Sequence, residues 1–195
     1  MTISLASLTG DELAAAVDDL ARLRIRVFRD FPYLYDGTLD YETAYLGVFA
    51  RAKDGIIVAA RDHGRIVGCS TGSALTAHHD AFAEPFQAHG YRLDDIFYCG
   101  ESVLLPEYRG KGLGHAFFDR REAHARDRGY RHSTFSSVVR PADHPLRPPE
   151  YKPLDGFWRK RGYEKVDGLV ASFDWKDIDQ PAPTPHAMQF WMRRL

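Results

Sequence analysis

A glycine-rich, basic turn at residues 109–114 has the residue types for binding a phosphate. It reads Arg-Gly-Lys-Gly-Leu-Gly. Three glycines in five positions let the backbone approach a ligand closely and adopt positive φ. If a helix begins there, its first N–H groups lack intrahelical partners and its dipole presents a positive end. Arg109 and Lys111 add positive charge, so the turn predicts a phosphate-binding site.

The flanking residues predict a strand before this turn and a helix after it. Residues 96–105 have the length and composition of a buried strand, and Pro106 ends it because proline cannot pair in a central ladder. A helical stretch follows as far as Gly129. The glycine spacing fits neither a P-loop nor the dinucleotide-binding fingerprint.

Arg-x-x-Gly-x-Gly preceded by Leu-Leu-Pro-Glu-Tyr instead resembles the pyrophosphate loop of the GNAT superfamily of acyl-CoA-dependent N-acetyltransferases. The resemblance implies that acetyl-CoA is the co-substrate and that an acetyl group passes directly to a primary amine of a small molecule or peptide. It also implies that the strand backbone pairs with the pantetheine arm while the turn holds the pyrophosphate. The alternative is a turn made for packing alone. The residues given the cofactor-binding role are Ser102, Val103, Leu104, Arg109, Gly110, Lys111, Gly112, Leu113, Gly114 and His115.

Glu101 is the first choice for a catalytic base. It lies where many GNAT enzymes place an acidic residue that binds the substrate amine or takes its proton, directly or through water. Attack on a thioester requires the neutral amine, so a carboxylate near neutral pH must remove a proton. The alternative reading is that Glu101 caps a bulge at Gly100 or pairs with an arginine.

Aromatic residues cluster where the first two helices are predicted to meet. The first helix carries an apolar stripe from Leu13 to Val27 after a cap at Thr9 or Asp11, Pro32 breaks it, and Asp40 is expected to cap the second helix. In GNAT folds the acceptor lies beside this junction. The resulting candidates for substrate binding are Tyr33, Tyr35, Tyr41 and Tyr45, with Phe31 in the same wall. Ordinary core packing is the alternative for all of them.

The C-terminal part resembles the family less closely. Residues 154–163 resemble its Phe-Tyr-x-x-x-Gly-Phe signature with Trp158 at the tyrosine position, which gives Trp158 a place beside the cofactor sulfur. The usual tyrosine often protonates the leaving thiolate, and an indole N–H is not acidic enough to do so. Three explanations remain: Tyr151 or Tyr163 acts as the general acid instead, solvent protonates the leaving thiolate, or the activity is weak. We favour protonation by solvent. In related enzymes, the connection that corresponds to the proline-rich loop at 140–153 often carries an asparagine that binds the pantetheine arm. This chain has no asparagine, so that contact must be absent or made otherwise.

The remaining segments predict further strands and one insertion. Residues 2–8 are expected to form an edge strand, and residues 56–61 and 65–75 a hairpin joined by Asp62-His63-Gly64. Residues 76–91 are expected to be an irregular insertion over the acceptor pocket. Its His78-His79-Asp80 sequence lacks a third ligand at diagnostic spacing, so no metal site is predicted. Later strands are expected at 130–139, 169–175 and 188–193, with a linker at 180–185 before the last.

Composition limits the possible functions. A chain of 195 residues fits one domain, here expected to span 1–195, and a formal charge of −1 gives no reason to expect nucleic acid as a partner. No apolar run is long enough to span a bilayer and no signal sequence is evident, so we expect a cytoplasmic protein without membrane contact, as a possible homodimer. Cys69 and Cys99 are expected to be reduced core thiols.

The sequence therefore predicts a single GNAT-like α/β domain. Its mixed, mostly antiparallel sheet should be flanked by helices and splayed between the fourth and fifth strands. Two other classes stay open: a non-catalytic acyl-CoA-binding or sensing module, for which Trp158 is the best argument, and an unrelated nucleotide-binding protein.

Overall fold

A seven-stranded mixed sheet organises the fold, as the sequence predicts. The computed structural model describes residues 3–78 and 80–195. The strand order is β1-β2-β3-β4-β5-β7-β6, and every neighbouring pair is antiparallel except β4 and β5. The strands are Ile3–Ser7 (β1), Ile56–Asp62 (β2), Arg65–Ala74 (β3), Ile96–Leu104 (β4), His132–Val138 (β5), Glu164–Trp175 (β6) and Thr184–Arg194 (β7).

Helices cover both faces of this sheet. Helices α1 and α2 pack on each other; α1 contacts β3 and β4, and α2 contacts β2 and β3. Helix α4 contacts β2, β3 and β4. Within the described residues, no helix combines the length and the apolar character that a membrane crossing requires. The helices are Gly10–Phe28 (α1), Leu39–Arg51 (α2), Asp80–Ala88 (α3), Leu113–Asp127 (α4) and Asp155–Lys160 (α5).

Strands β4 and β5 pair over a short distance and then diverge. Their parallel register covers three positions, from Ile96 opposite His132 to Tyr98 opposite Thr134. Strand β4 continues to Leu104 and β5 to Val138 without further pairing to each other. The predicted splay is confirmed, and it leaves a main-chain edge of β4 facing a notch. A backbone edge of this kind can bind an extended ligand as a strand would.

A bulge in β4 lies beside this notch. Ser70 of β3 is opposite Ser102, but Gly72 is opposite Cys99, so β4 places two residues, Gly100 and Glu101, opposite the single Thr71 of β3. The extra residue interrupts the usual alternation of side chains. A Cβ at Gly100 would collide with Phe49 of α2, so this position must remain glycine for the strand to pack closely. The bulge therefore turns Gly100 and the following residue towards α1 and α2.

Some boundaries differ from the sequence prediction. The predicted irregular insertion contains α3, because Phe82 and Phe86, one helical turn apart, pack against aromatic rings of the sheet such as Phe190. Tertiary burial overrides the polar composition there. The second helix is capped by Thr38, whose Oγ1 accepts a hydrogen bond from the Tyr41 N–H at 3.4 Å, and not by Asp40.

The last two strands are longer than predicted. Strand β6 begins at Glu164, but residues 166–169 bulge out of register, which hides its alternation in the sequence. The Gln189 side-chain amide donates to the carbonyl oxygens of Val166 and Leu169 in this bulge, at 2.8 and 3.2 Å. Strand β7 includes Pro185, which lies beyond the last residue that pairs with β5 and so loses no hydrogen bond on that side.

Two predicted features lie partly outside the described residues. The N-terminal strand is observed from Ile3, and Thr2 is not described. In the His78-His79-Asp80 sequence, His79 is not described. Among the side chains that the structure describes, no group of three His, Cys, Asp or Glu could hold a metal ion. Cys69 and Cys99 are free and buried, which confirms the expected reduced thiols.

Candidate active site

The turn at 109–114 has the geometry of an anion-binding loop. Gly110 and Gly112 adopt φ of +74° and +82°, a region that other residues rarely occupy, and Gly112 is the N-cap of α4. The space where their side chains would lie is open. Helix geometry leaves the N–H groups of the first turn, from Leu113 to His115, without intrahelical partners. The loop thus offers main-chain donors and the positive end of a helix dipole to a ligand.

The basic side chains of this loop are held near it. Arg109 is half-exposed; its Nε donates to the Leu104 carbonyl at 3.3 Å, and its guanidinium lies 3.9 Å from the Asp30 carboxylate. The Lys111 ammonium is 5.0 Å from the centre of the Tyr108 ring. These contacts keep positive charge at the mouth of the loop. Anion binding by this loop stays a prediction that the geometry supports.

The strand residues assigned to the pantetheine arm line the notch. Ser102, Val103 and Leu104 pair with β3 on one side and have no β5 partner on the other. Their main-chain groups on the β5 side are therefore placed for an extended ligand, independently of side-chain identity. The Ser102 hydroxyl accepts a hydrogen bond from Arg121 of α4 at 2.7 Å, which anchors this strand to the helix that follows the loop.

Glu101 is buried on the face of the sheet covered by α1 and α2. It is 9% exposed, and its carboxylate forms an ion pair with Arg24 of α1. Its Oε2 accepts hydrogen bonds from the Tyr45 hydroxyl at 3.0 Å and the Thr71 hydroxyl at 2.8 Å. The bulge and the arginine partner of the alternative reading are therefore both present. They place the carboxylate beside the predicted acceptor junction, and its catalytic role stays a prediction.

Arg24 joins Glu101 to a second buried carboxylate, Glu42 of α2. Its guanidinium also lies 4.0 Å from the ring centre of Tyr45 and 5.0 Å from that of Phe28. Burial alone would lower the pKa of Arg24, but the negative charges of Glu101 and Glu42 outweigh it and hold the pKa above its usual value. The arginine is therefore a permanent cation shared by two carboxylates.

Arg121 supports the bulge from the opposite face of the sheet. It is 1% exposed, and Nη1 donates to the carbonyl oxygens of Glu101 at 2.7 Å and Thr71 at 3.1 Å. A bulge leaves some main-chain carbonyl oxygens without a hydrogen-bond donor from the neighbouring strand, and the Arg121 guanidinium donates to these oxygens instead. The sequence analysis missed both Arg24 and Arg121. The available signal was their position in the apolar stripes of α1 and α4, where Leu20 and Phe117 precede them by one turn.

Three of the four predicted substrate-binding tyrosines reach this cluster. Tyr45 donates to Glu101, and the Tyr33 hydroxyl has its pKa raised to about 12 by burial and by the Glu101 charge. Burial and the Glu42 charge likewise raise the pKa of Tyr35. Tyr41 is 59% exposed and contacts Tyr35 at the surface, so it lies away from the buried carboxylates. Substrate binding by these four residues remains a prediction.

His78 and Tyr98 complete the buried wall of the site, and the sequence analysis gave them no such role. The His78 Nε2 lies 2.8 Å from the Ser73 hydroxyl, and its ring packs edge-on against Tyr98 at 4.9 Å. Burial lowers the pKa of His78 to about 4, against the opposing effect of Glu101, so the ring is neutral at pH 7. The Tyr98 hydroxyl is 3.5 Å from Ser136 Oγ, across the point where β4 and β5 separate.

Trp158 lies in an aromatic cluster, where it contacts Phe135 of β5 and Trp191 of β7 at ring-centre distances of 5.0 Å. Its neighbour Phe157 instead packs on His115, at the start of α4. Of the two tyrosines considered as substitute acids, Tyr163 is buried; its hydroxyl donates to the Glu122 carboxylate at 3.1 Å and lies 2.7 Å from the Ser133 hydroxyl. Burial raises the pKa of Tyr163. The Tyr163 hydroxyl is therefore engaged in the core. A contact between Trp158 and the cofactor stays a prediction.

The fold and the site together define a class of protein. A mixed sheet splays at its one parallel pair, and the strand on one side of the notch leads through a glycine loop into a helix. This is the arrangement expected of an acyl-CoA-dependent transferase. The sequence profile of the Acetyltransferase (GNAT) family matches residues 18–148, and the chain belongs to this family of acyltransferases. No curated protein sequence matches significantly.

Solved structures show the same fold at low sequence identity. A ribosomal-protein-alanine N-acetyltransferase from Brucella melitensis aligns with a TM-score of 0.64 and 13% identity, covering 98% of this chain and 99% of its own. A phosphinothricin acetyltransferase from Sinorhizobium meliloti in complex with AcCoA gives 0.60 and 17%, covering 100% and 89%. The PaiA N-acetyltransferase from Thermoplasma acidophilum in complex with coenzyme A gives 0.59 and 11%, covering 100% of both chains.

Proposed function

We propose that this acetyltransferase moves an acetyl group from acetyl-CoA directly to a primary amine of a small molecule or peptide. One observation carries the proposal: β4 presents an unpaired edge that leads to the phosphate loop, and its bulge turns Glu101 towards the acceptor junction. The solved complexes with coenzyme A and AcCoA support the choice of cofactor. Membership of an acetyltransferase family disfavours the non-catalytic alternative.

Main-chain groups hold the cofactor in this proposal. The loop from Arg109 to His115 binds the pyrophosphate, and the strand from Ser102 to Leu104 pairs with the pantetheine arm. A β4 N–H then donates to the thioester carbonyl and stabilises the negative charge that develops on its oxygen. The side chains contribute little here except positive charge, which agrees with the half-exposed position of Arg109.

Glu101 serves the acceptor amine. Arg24 occupies Oε1, while Tyr45 and Thr71 donate to Oε2, so the proton of the ammonium reaches this buried carboxylate through an intervening water. The neutral nitrogen attacks the carbonyl carbon, the C–N bond forms, and the C–S bond breaks. The nitrogen then loses a second proton to solvent, the CoA thiolate gains a proton from solvent, and Glu101 releases the first proton to solvent. The carboxylate is thereby restored, and one proton is liberated overall.

A small cationic amine is the acceptor class that the charges favour. In the cluster of Arg24, Glu42 and Glu101, two carboxylates face one guanidinium, which leaves one excess negative charge. The neighbouring hydroxyls of Tyr33 and Tyr35 stay neutral because their pKa values are raised. An ammonium group would balance the cluster, whereas a carboxylate would add to the repulsion.

The test is release of free CoA thiol from acetyl-CoA with a panel of cationic, neutral and anionic amines. Turnover is expected with small cationic amines, and turnover only with neutral or anionic amines would contradict the acceptor class. Tight acetyl-CoA binding without turnover on any amine would support the binding module. Equal affinity for ATP, NAD and CoA would instead favour an unrelated nucleotide-binding role.

A further inference from the structure

Arg140 joins three segments of the chain at the acceptor side of the molecule. It stands just after β5, at the start of the proline-rich loop, and its side chain is 8% exposed. Both Nη atoms donate to the Asp177 carboxylate, at 2.6 and 2.8 Å. Nε donates to the Pro32 carbonyl at 2.8 Å and Nη2 to the Tyr33 carbonyl at 2.7 Å. One buried guanidinium therefore ties the α1–α2 connection to the β6–β7 connection.

The two connections also pair through their main chains. The Asp36 N–H donates to the Lys176 carbonyl at 2.8 Å, and the Ile178 N–H donates to the Leu34 carbonyl at 2.7 Å. Tyr35 and Asp177 form an isolated antiparallel bridge between these bonds. Two main-chain hydrogen bonds between loops would not by themselves fix the position of those loops, because local opening of a connection costs little. Arg140 and Asp177 supply the buried anchor.

Tyr33 is the residue whose position depends most on this anchor. Its carbonyl accepts from Arg140 and also from the Trp175 indole N–H at 3.1 Å. Its ring packs on Phe28 at 4.7 Å and on Trp175 at 6.0 Å. Phe28 in turn lies 5.0 Å from the guanidinium of Arg24, which pairs with Glu101, so Tyr33 lines the wall of the Glu101 cluster. Movement of the Tyr33 backbone would therefore move a ring in that wall.

We propose that Arg140 is a positioning residue for the acceptor amine, which it serves by holding Tyr33 against Phe28 in the wall of the Glu101 cluster. The inference rests on the proposed function. A lysine cannot replace this arginine, because an ammonium is a point donor and lacks the planar fork that reaches a carboxylate and two carbonyls together. A displacement of about 1 Å in a positioning contact can cost about a hundredfold in rate. The cofactor loop makes no contact with Arg140 among the bonds described for it.

The first experiment compares Arg140→Lys with Arg161→Lys as a matched control. Arg161 is similarly buried and bonded, to Asp119 at 2.6 Å and Glu122 at 3.0 Å, but on the α4–α5 side of the sheet. We expect Arg140→Lys to lower kcat/KM for the amine about ten- to hundredfold, with acetyl-CoA affinity unchanged within about twofold. Arg161→Lys should leave the amine kcat/KM within about twofold. Equal effects of the two variants, or equal losses for amine and acetyl-CoA, would overturn the proposal.

A double-mutant cycle with Tyr33→Ala tests whether Arg140 acts through Tyr33. If it does, the double variant should lose no more amine kcat/KM than the worse single variant. Fully additive losses would overturn this route. The variants should be compared at a temperature where circular dichroism shows all of them folded.

Hydrogen exchange separates this proposal from the proposed function. If the wild-type chain turned over no amine, the proposed function would fall, and the exchange rates of the Asp36 and Ile178 amides would still decide the role of Arg140. Arg140→Lys should speed both amides at least about tenfold, while Arg161→Lys should not. Unchanged exchange in Arg140→Lys would overturn the proposal whatever the activity.

Discussion

The proposed site along β4 has two halves that are built on opposite principles. The cofactor half is the loop at 109–114 with the edge of β4 before it, and the acceptor half is the buried cluster of Arg24, Glu42 and Glu101 with its neighbours. The cofactor half presents main-chain groups at the surface, with two glycines in left-handed conformations and an arginine that is half-exposed. The acceptor half buries one arginine, two carboxylates and several hydroxyls brought from four segments. A site that binds its ligand through main-chain groups tolerates changes of its side chains. A buried charge cluster does not, because each lost partner leaves an unpaired charge.

The comparison also suggests where specificity resides. Main-chain donors and a helix N-terminus recognise a diphosphate in any chain that adopts the same backbone. The arrangement of Arg24, Glu42 and Glu101 depends on particular side chains from α1, α2 and β4. Under the proposed function, the cofactor half is thus the general part of the molecule, and the acceptor half is the part that selects the amine.

The largest expected effect comes from Glu101→Gln. We expect kcat/KM for the amine to fall about 10²- to 10⁴-fold, as for loss of a general base, with acetyl-CoA affinity unchanged. Glu42→Gln is the matched control, because it removes the same charge from the same arginine without facing the β4 notch. Turnover and binding titrations of both variants decide the matter. If Glu42→Gln slows turnover as much, the total charge of the cluster matters and not the position of Glu101.

The bulge itself is tested by Arg121→Met. Three hydrogen bonds from a buried cation would be lost, leaving the Thr71 and Glu101 carbonyls unsatisfied. The free energy of unfolding should fall by about 3 kcal/mol or more, measured by urea denaturation. A loss below about 1 kcal/mol would show that the bulge persists without this arginine.

His78 gives the acceptor half a pH dependence. Its pKa is about 4 in the folded chain and 6.5 when unfolded, so the unfolded chain binds the extra proton between these values. Stability should therefore fall as pH drops from about 6.5 to 4, by up to about 3 kcal/mol from this residue. Subtracting the unfolding curve of His78→Gln from that of the wild type removes the titrations common to both. A difference that stays flat with pH would contradict a buried neutral histidine.

The sequence predicted the strand, glycine turn and helix around residues 96–129 well, but it predicted only part of the buried cluster around Glu101, for physical reasons. The loop is a contiguous segment whose glycines and charges act locally, so Gly110 and Gly112 could be interpreted without knowledge of the fold. Glu101 was singled out because it lies on the strand that leads to that loop, where the family resemblance implies an acidic residue, and its catalytic role stays a prediction. The apolar stripes of α1 and α4 could have indicated that Arg24 and Arg121 are buried, but the groups they bind lie 18 to 77 residues away, so their roles could not be inferred from the local pattern. The same dependence on tertiary contacts hid α3.

The smallest effect is expected at the cofactor loop. Arg109→Glu replaces one half-exposed positive charge, so CoA affinity should fall about tenfold at low salt and less at high salt, where charges are screened. Arg120→Glu makes the same charge change on the exposed face of α4 and should alter affinity by less than about twofold. Both variants should unfold at the wild-type temperature, since neither residue is buried. If Arg109→Glu abolished binding or Arg120→Glu matched it, side-chain charge would dominate over main-chain donors, and the contrast between the two halves of β4 would be wrong.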